Sequence, residues 1–171
     1  MNIRKQKVGR QQGMTLLEVL IALLVLSIGL LGMAGLQATS IRNNQSAYMR
    51  SQASILAYDA IDRMRANRDA ADAGSYALAL DDTPGTPAAN CNTSSCTPAQ
   101  LAAFDLYEWT QTLANELPPV PLGNGCDGNG DCYGSITRLT VGGRTIFRVI
   151  VQWDDTRGVG NPTRMQIEAE L

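Results

Sequence analysis

The chain opens with two helical patterns laid end to end. From Gln11 to Ile41 the only charged residue is Glu18, and Met14 to Leu36 is almost pure Leu, Val, Ile, Ala, Met and Gly. A helix crosses a bilayer in about 20 apolar residues, so this run is long enough to span one. The pattern then narrows. Met49, Ala53, Leu56, Ala60 and Met64 recur every three or four residues, which places them on one helix face. Asn44, Gln45, Arg50, Gln52, Asp59 and Arg63 occupy the other faces. The periodicity predicts one helix from Met14 to about Arg68, roughly 80 Å long at 1.5 Å per residue. Its first half is apolar all round and its second half amphipathic. Gly29, Gly32 and Gly35 interrupt the first half. Small residues of this kind permit close helix packing within a membrane.

Residues 69–96 are rich in Ala, Asp, Thr, Asn and Ser, with Pro84-Gly85 and Pro87, and read as a long surface connection. Thr97-Pro98-Ala99-Gln100 has the spacing of a capping box with proline at the first helical position. Ala102, Leu106, Trp109, Leu113 and Leu117 follow as the stripe of a second amphipathic helix, stopped by Pro118-Pro119. Residues 120–134 form a loop rich in Gly, Asn and Asp. The pattern then changes to strict alternation. Ser135–Val141 joins the next strand through Gly142-Gly143, a tight hairpin signal. In that strand Thr145, Phe147, Val149, Val151 and Trp153 share one face, while Arg144, Arg148, Gln152 and Asp154 lie on the other. After a turn, Met165, Ile167, Ala169 and Leu171 alternate with Arg164, Gln166, Glu168 and Glu170. The prediction is an α+β fold: a three-stranded antiparallel meander covered by the stripe of the long helix.

Charge sharpens this picture. Four of the 14 basic residues, Arg4, Lys5, Lys7 and Arg10, fall within residues 1–13, which hold no acid. The remaining 10 basic residues are outnumbered by all 16 acids. Positive residues before an apolar span hold the N-terminus in the cytoplasm and send the rest across. An acidic body is a poor general binder of phosphate backbones, so no nucleic acid is expected as a partner. Arg63, Arg65 and Arg68 form a local basic cluster, read here as cations complementing a helix C-terminus. The 171 residues contain no histidine. That removes Ser–His and Cys–His catalysis and histidine metal sites together. No nucleophile sits beside a base and no glycine loop suits a phosphate, so no enzyme activity and no cofactor are expected.

A signal anchor, or a secretory signal cut after Gly32-Met33-Ala34, would explain the apolar run. Neither explains Glu18. A carboxylate there costs on the order of 2–3 kcal/mol and normally has a partner or a task. The stretch Gly13-Met14-Thr15-Leu16-Leu17-Glu18-Val19 ends a short basic leader in glycine and places a glutamate five residues on. It resembles the class III signal peptide of type IV pilins and pseudopilins, departing only in Met14, where phenylalanine is commoner. The resemblance implies cleavage between Gly13 and Met14 by a prepilin peptidase and N-methylation of Met14. It also implies an assembly and register role for Glu18 toward the amine of a neighbouring subunit. Three segments follow: leader 1–13, removed; 14–36, transmembrane and later filament core; 37–171, a periplasmic head. Residues Ala57 to Arg68, Phe104 to Trp109 and Phe147 to Trp153 further resemble PilV-like minor pilins. That branch implies a structural subunit at the pilus tip that primes assembly and supports twitching motility and adhesion. Its implied partners are other minor pilins, the major pilin, the inner membrane and a tip adhesin. A type II secretion pseudopilin and a DNA-uptake pilin share the same anchor and remain as alternatives.

The four cysteines, Cys91, Cys96, Cys126 and Cys132, lie beyond the apolar segment and read as disulfides. Of three connectivities, two local loops, Cys91–Cys96 and Cys126–Cys132, are the simplest. Neither spacing is that of a zinc knuckle. Asp127-Gly128-Asn129-Gly130-Asp131 begins like a calcium loop, but Cys132 and Arg138 stand where the pattern needs glycine and glutamate, so no metal is expected.

Overall fold

The structure, a computed structural model, describes residues 13–120, 132–156 and 159–171. The chain divides into two units, Met1–Asn44 and Gln45–Leu171. In the first, residues 13–15 are non-helical and α1 (Leu16–Ala66) begins; it continues into the second. The apolar residues up to Leu36 are all exposed. The two hydroxyls in this stretch fold back onto the helix. Ser27 Oγ donates to the Leu23 carbonyl at 2.6 Å and Thr39 Oγ1 to that of Gly35 at 3.1 Å. Neither therefore presents an unsatisfied polar group to an apolar surrounding.

In the second unit the expected stripe is the core. Met49, Ala53, Leu56, Ala60 and Met64 are all buried, joined by Ala57 and Ile61. They form one cluster with the inner face of the sheet and with α3 (Pro98–Glu116). Each fully buried large aliphatic or aromatic side chain contributes about 1.5–3 kcal/mol. The capping box forms as the sequence predicts: Thr97 Oγ1 accepts from the Gln100 N–H and Gln100 Oε1 from that of Thr97. The α3 stripe is buried or half-buried throughout, and Trp109 donates from Nε1 to the Leu56 carbonyl at 2.8 Å.

The sheet is the predicted meander, in order β1 (Gly134–Val141), β2 (Arg144–Trp153), β3 (Thr163–Ala169). Val141 pairs with Arg144 across Gly142 and Gly143, whose φ angles of 60° and 80° suit the tight hairpin turn that only glycine enters freely. Gly134 is required for another reason. A Cβ there would lie 2.5 Å from Trp109 Cη2 and 2.8 Å from Leu113 Cδ1, so its bare backbone is what lets α3 approach. On β3, Met165, Ile167, Ala169 and Leu171 pack against the core only half-buried, because β3 is an edge strand. This is the α+β architecture of a type IV pilin.

Three details differ from the sequence expectation. The long helix ends at Ala66 rather than Arg68. Asn67 leaves helical geometry (φ −126°, ψ 55°), turning its amide to donate to the Pro98 carbonyl at 2.7 Å, and a short α2 (Arg68–Asp72) follows. The segment after it is not wholly a surface connection. Ala70, Ala71, Tyr76 and Leu78 are buried, and Leu78 exchanges both backbone hydrogen bonds with Ile136 on the edge of β1. Finally, Gln152, expected to face solvent, is fully buried. Its Nε2 donates to the Cys132 carbonyl at 2.6 Å and its Oε1 accepts from Arg164 Nε at 2.8 Å. The chain entering β1 therefore covers that end of the outer face, which strand alternation cannot reveal.

Candidate functional site: the N-terminal segment and the head junction

Gly13 and Met14 lie in exposed, non-helical backbone immediately before α1, with Met14 72% exposed. A peptide bond in that setting is open to an enzyme; one inside a helix would first have to be unwound. The helix starts where it does because Thr15 caps it. Its Oγ1 accepts from the Glu18 N–H at 3.3 Å, and its carbonyl accepts from the same group at 3.0 Å. The Thr15-x-x-Glu18 spacing carries this signal in the sequence. Glu18 thus sits in the first turn, where the free N–H groups of the helix favour a negative charge. It is exposed, and among the described residues no cation pairs with it.

The second cluster joins α1 to α3. Arg63 reaches Asp59 (2.8 Å), Asp105 (3.1 Å) and Glu108 (3.5 Å). The Tyr76 hydroxyl donates to the other Asp105 oxygen and accepts from Asn67 Nδ2 at 3.2 Å. Burial opposes the Arg63 charge, but Asp59 and then Asp105 outweigh it and hold its pKa above the ordinary value. Burial, followed by the bond to Asp105, pushes the Tyr76 phenol well above its usual range. Arg65 pairs with Asp62 at 3.0 Å and Arg68 with Asp72 at 3.6 Å. All three arginines of the basic cluster are therefore matched by acids. Sequence reasoning did not single out Tyr76, although Tyr76, Leu78 and Leu80 alternate with small residues.

Cys91 and Cys96 form a disulfide in the connection before α3. Cys132 is also disulfide-bonded; Cys126, its expected partner, lies outside the described residues, as do the calcium-like run from Asp127 to Asp131 and the leader through residue 12.

Comparison with known proteins agrees with this geometry. A family model described as type IV pilin Tt1218 matches residues 35–107, and one described as the prokaryotic N-terminal methylation motif matches residues 9–34. Neither the curated proteins nor the solved structures contain a significant match. The two family matches support a type IV prepilin, which implies processing by a prepilin peptidase and assembly with other pilins. The matched pilin family is one of structural subunits rather than enzymes. The motif and the long apolar helix fit anchoring in the inner membrane before assembly into a surface pilus.

Proposed function

We propose that this chain is a minor pilin of a type IV pilus, a structural subunit that primes assembly and sits at the pilus tip, supporting twitching motility and adhesion. The observation that carries the reading is Glu18: the sole charge of an apolar helix, in its first turn, one turn from an exposed Gly13–Met14 bond. Cleavage there creates an amine that a neighbouring subunit's Glu18 can pair with, which sets axial register in a filament. The leader through Gly13 stays cytoplasmic, residues 14–36 hold the subunit in the membrane, and the head from residue 37 is periplasmic until assembly. Identity as a PilV-like subunit is supported by where the resembling stretches meet. Asp59, Arg63 and Asn67 from one stretch, with Asp105, Glu108 and Trp109 from another, form the α1–α3 junction.

The test is mass spectrometry of the membrane form. A mature chain starting at an N-methylated Met14 is expected, and Gly13→Trp should retain the leader. A start at Gly35, or an intact Met1 in the wild type, contradicts the proposal.

A further inference from the structure

The inner face of the sheet ends in an arginine that no acid neutralises. Arg138 lies on β1 opposite Phe147 of β2, beyond the part of the sheet that the core cluster covers. Together they line an open cavity of about 300 Å³, walled by Arg68 and Asp72 from α2 and by Arg144 and Glu170 from the far end of the sheet. The charges around it do not cancel. Arg68 faces Asp72 at 3.6 Å and Arg144 faces Glu170 at 3.3 Å. Among the described residues Arg138 has neither an ion pair nor a side-chain hydrogen bond, and it is exposed. Three guanidiniums and two carboxylates leave one positive charge unanswered. This happens in a chain whose residues beyond the leader carry more acids than bases.

We propose that this cavity is a docking pocket for one aspartate or glutamate side chain of a neighbouring pilin. The proposal rests on the pilin reading above and names a contact for its head. A guanidinium offers a planar fork of N–H donors that matches a carboxylate with two parallel bonds. Phe147, only 2% exposed, gives the cavity an apolar wall, and attraction between charges strengthens where water is displaced. The surplus of one charge selects a single carboxylate. A multiply charged phosphate would have to lie against Asp72 and Glu170. The cavity is open on one side, so a side chain projecting from another surface can enter it.

The sequence supplies a sharp test. Lys5 and Lys7 are the only lysines in the chain, and both lie in the leader, so R138K carries one lysine in its processed form. Isolated pili bearing R138K are treated with a carbodiimide, which joins an amine to a carboxylate in direct contact, and the linked peptides are sequenced by mass spectrometry. The expected product joins position 138 to an aspartate or glutamate of another pilin. Links confined to Asp72 or Glu170 of the same chain, or no link at position 138, overturn the proposal. As a second measurement, R138E should lower incorporation into pili at least five-fold and R138Q less. Both should leave the circular dichroism and melting temperature of the full chain in detergent unchanged, because Arg138 has no partner to lose. Sodium acetate or phosphate bound by the purified chain, with R138E incorporating normally, would mark a small-anion site and overturn the docking role. The two readings fail separately. A wild-type chain that never enters pili defeats the pilin reading, whereas wild-type and R138E chains entering equally defeat only the pocket.

Discussion

The two stretches of α1 have the same backbone and opposite fates. Met14 to Leu36 is apolar on every side and wholly exposed within the single chain, whereas from Gln45 onward seven residues of the helix are buried. The second stretch is the less hydrophobic of the two. Apolar content therefore does not make a core; its arrangement does. A stripe about one-third of the way round a helix can be satisfied by one sheet and one neighbouring helix. A helix apolar all round needs an apolar environment on all sides, which lipid or a bundle of like helices provides. The same contrast governs the charges. Arg63 is surrounded by three acids from its own head, while Glu18 has no cation among the described residues and is left for a partner.

That contrast can be broken at either end. The largest effect expected is from Glu18→Ala. It should leave membrane insertion and cleavage after Gly13 intact, since it removes an unpaired charge and does not touch the scissile bond. Recruitment into pili, read by immunoblot of sheared filaments, should be lost. A Glu18→Ala chain that assembles as well as wild type would move the register signal into the head.

Next is Trp109→Ala, which strikes only the head. It empties a fully buried indole and leaves the Leu56 carbonyl without its side-chain donor. A loss of about 3–5 kcal/mol is expected in denaturant unfolding of the full chain, with membrane retention unchanged. A loss under about 1 kcal/mol would show that the α1–α3 contact is not central to the core.

Smallest is Tyr76→Phe, which sharpens the electrostatic half of the comparison. At neutral pH it should cost about 1 kcal/mol, the net worth of one buried hydrogen bond. The phenol titrates higher in the folded head than in the unfolded chain. Its contribution is therefore complete below the unfolded value near 10 and is lost as pH rises beyond it. The gap between wild type and variant should narrow or reverse between pH 7 and pH 11 in urea unfolding. A constant gap contradicts the assignment of Tyr76 to this network.

Much of the head was legible because its signals are local. The stripe from Met49 to Met64, the Thr97 capping box and the Gly142-Gly143 hairpin each follow from residues close in sequence. The elements they predict are those observed. What escaped depends on distant partners. Gln152 reads as solvent-facing by alternation and is buried because the chain near Cys132 crosses over it. Tyr76 and Leu78 lie in a stretch composed like a loop, yet Leu78 pairs with Ile136, far along the chain. Arg138 lies on the sheet's inner face and is exposed because the core does not extend over it.

By itself, the sequence determined the kinds of element, their order and the candidate processing segment: each is encoded in helical or strand periodicity, in caps and turns, or in a motif of seven consecutive residues from Gly13 to Val19. Only the tertiary structure decided which polar groups are buried, which arginines are neutralised and which one is left open. Burial and charge pairing belong to surfaces brought together from separate parts of the chain. A residue's neighbours in sequence set its direction, but its neighbours in space set its dielectric surroundings and its partners.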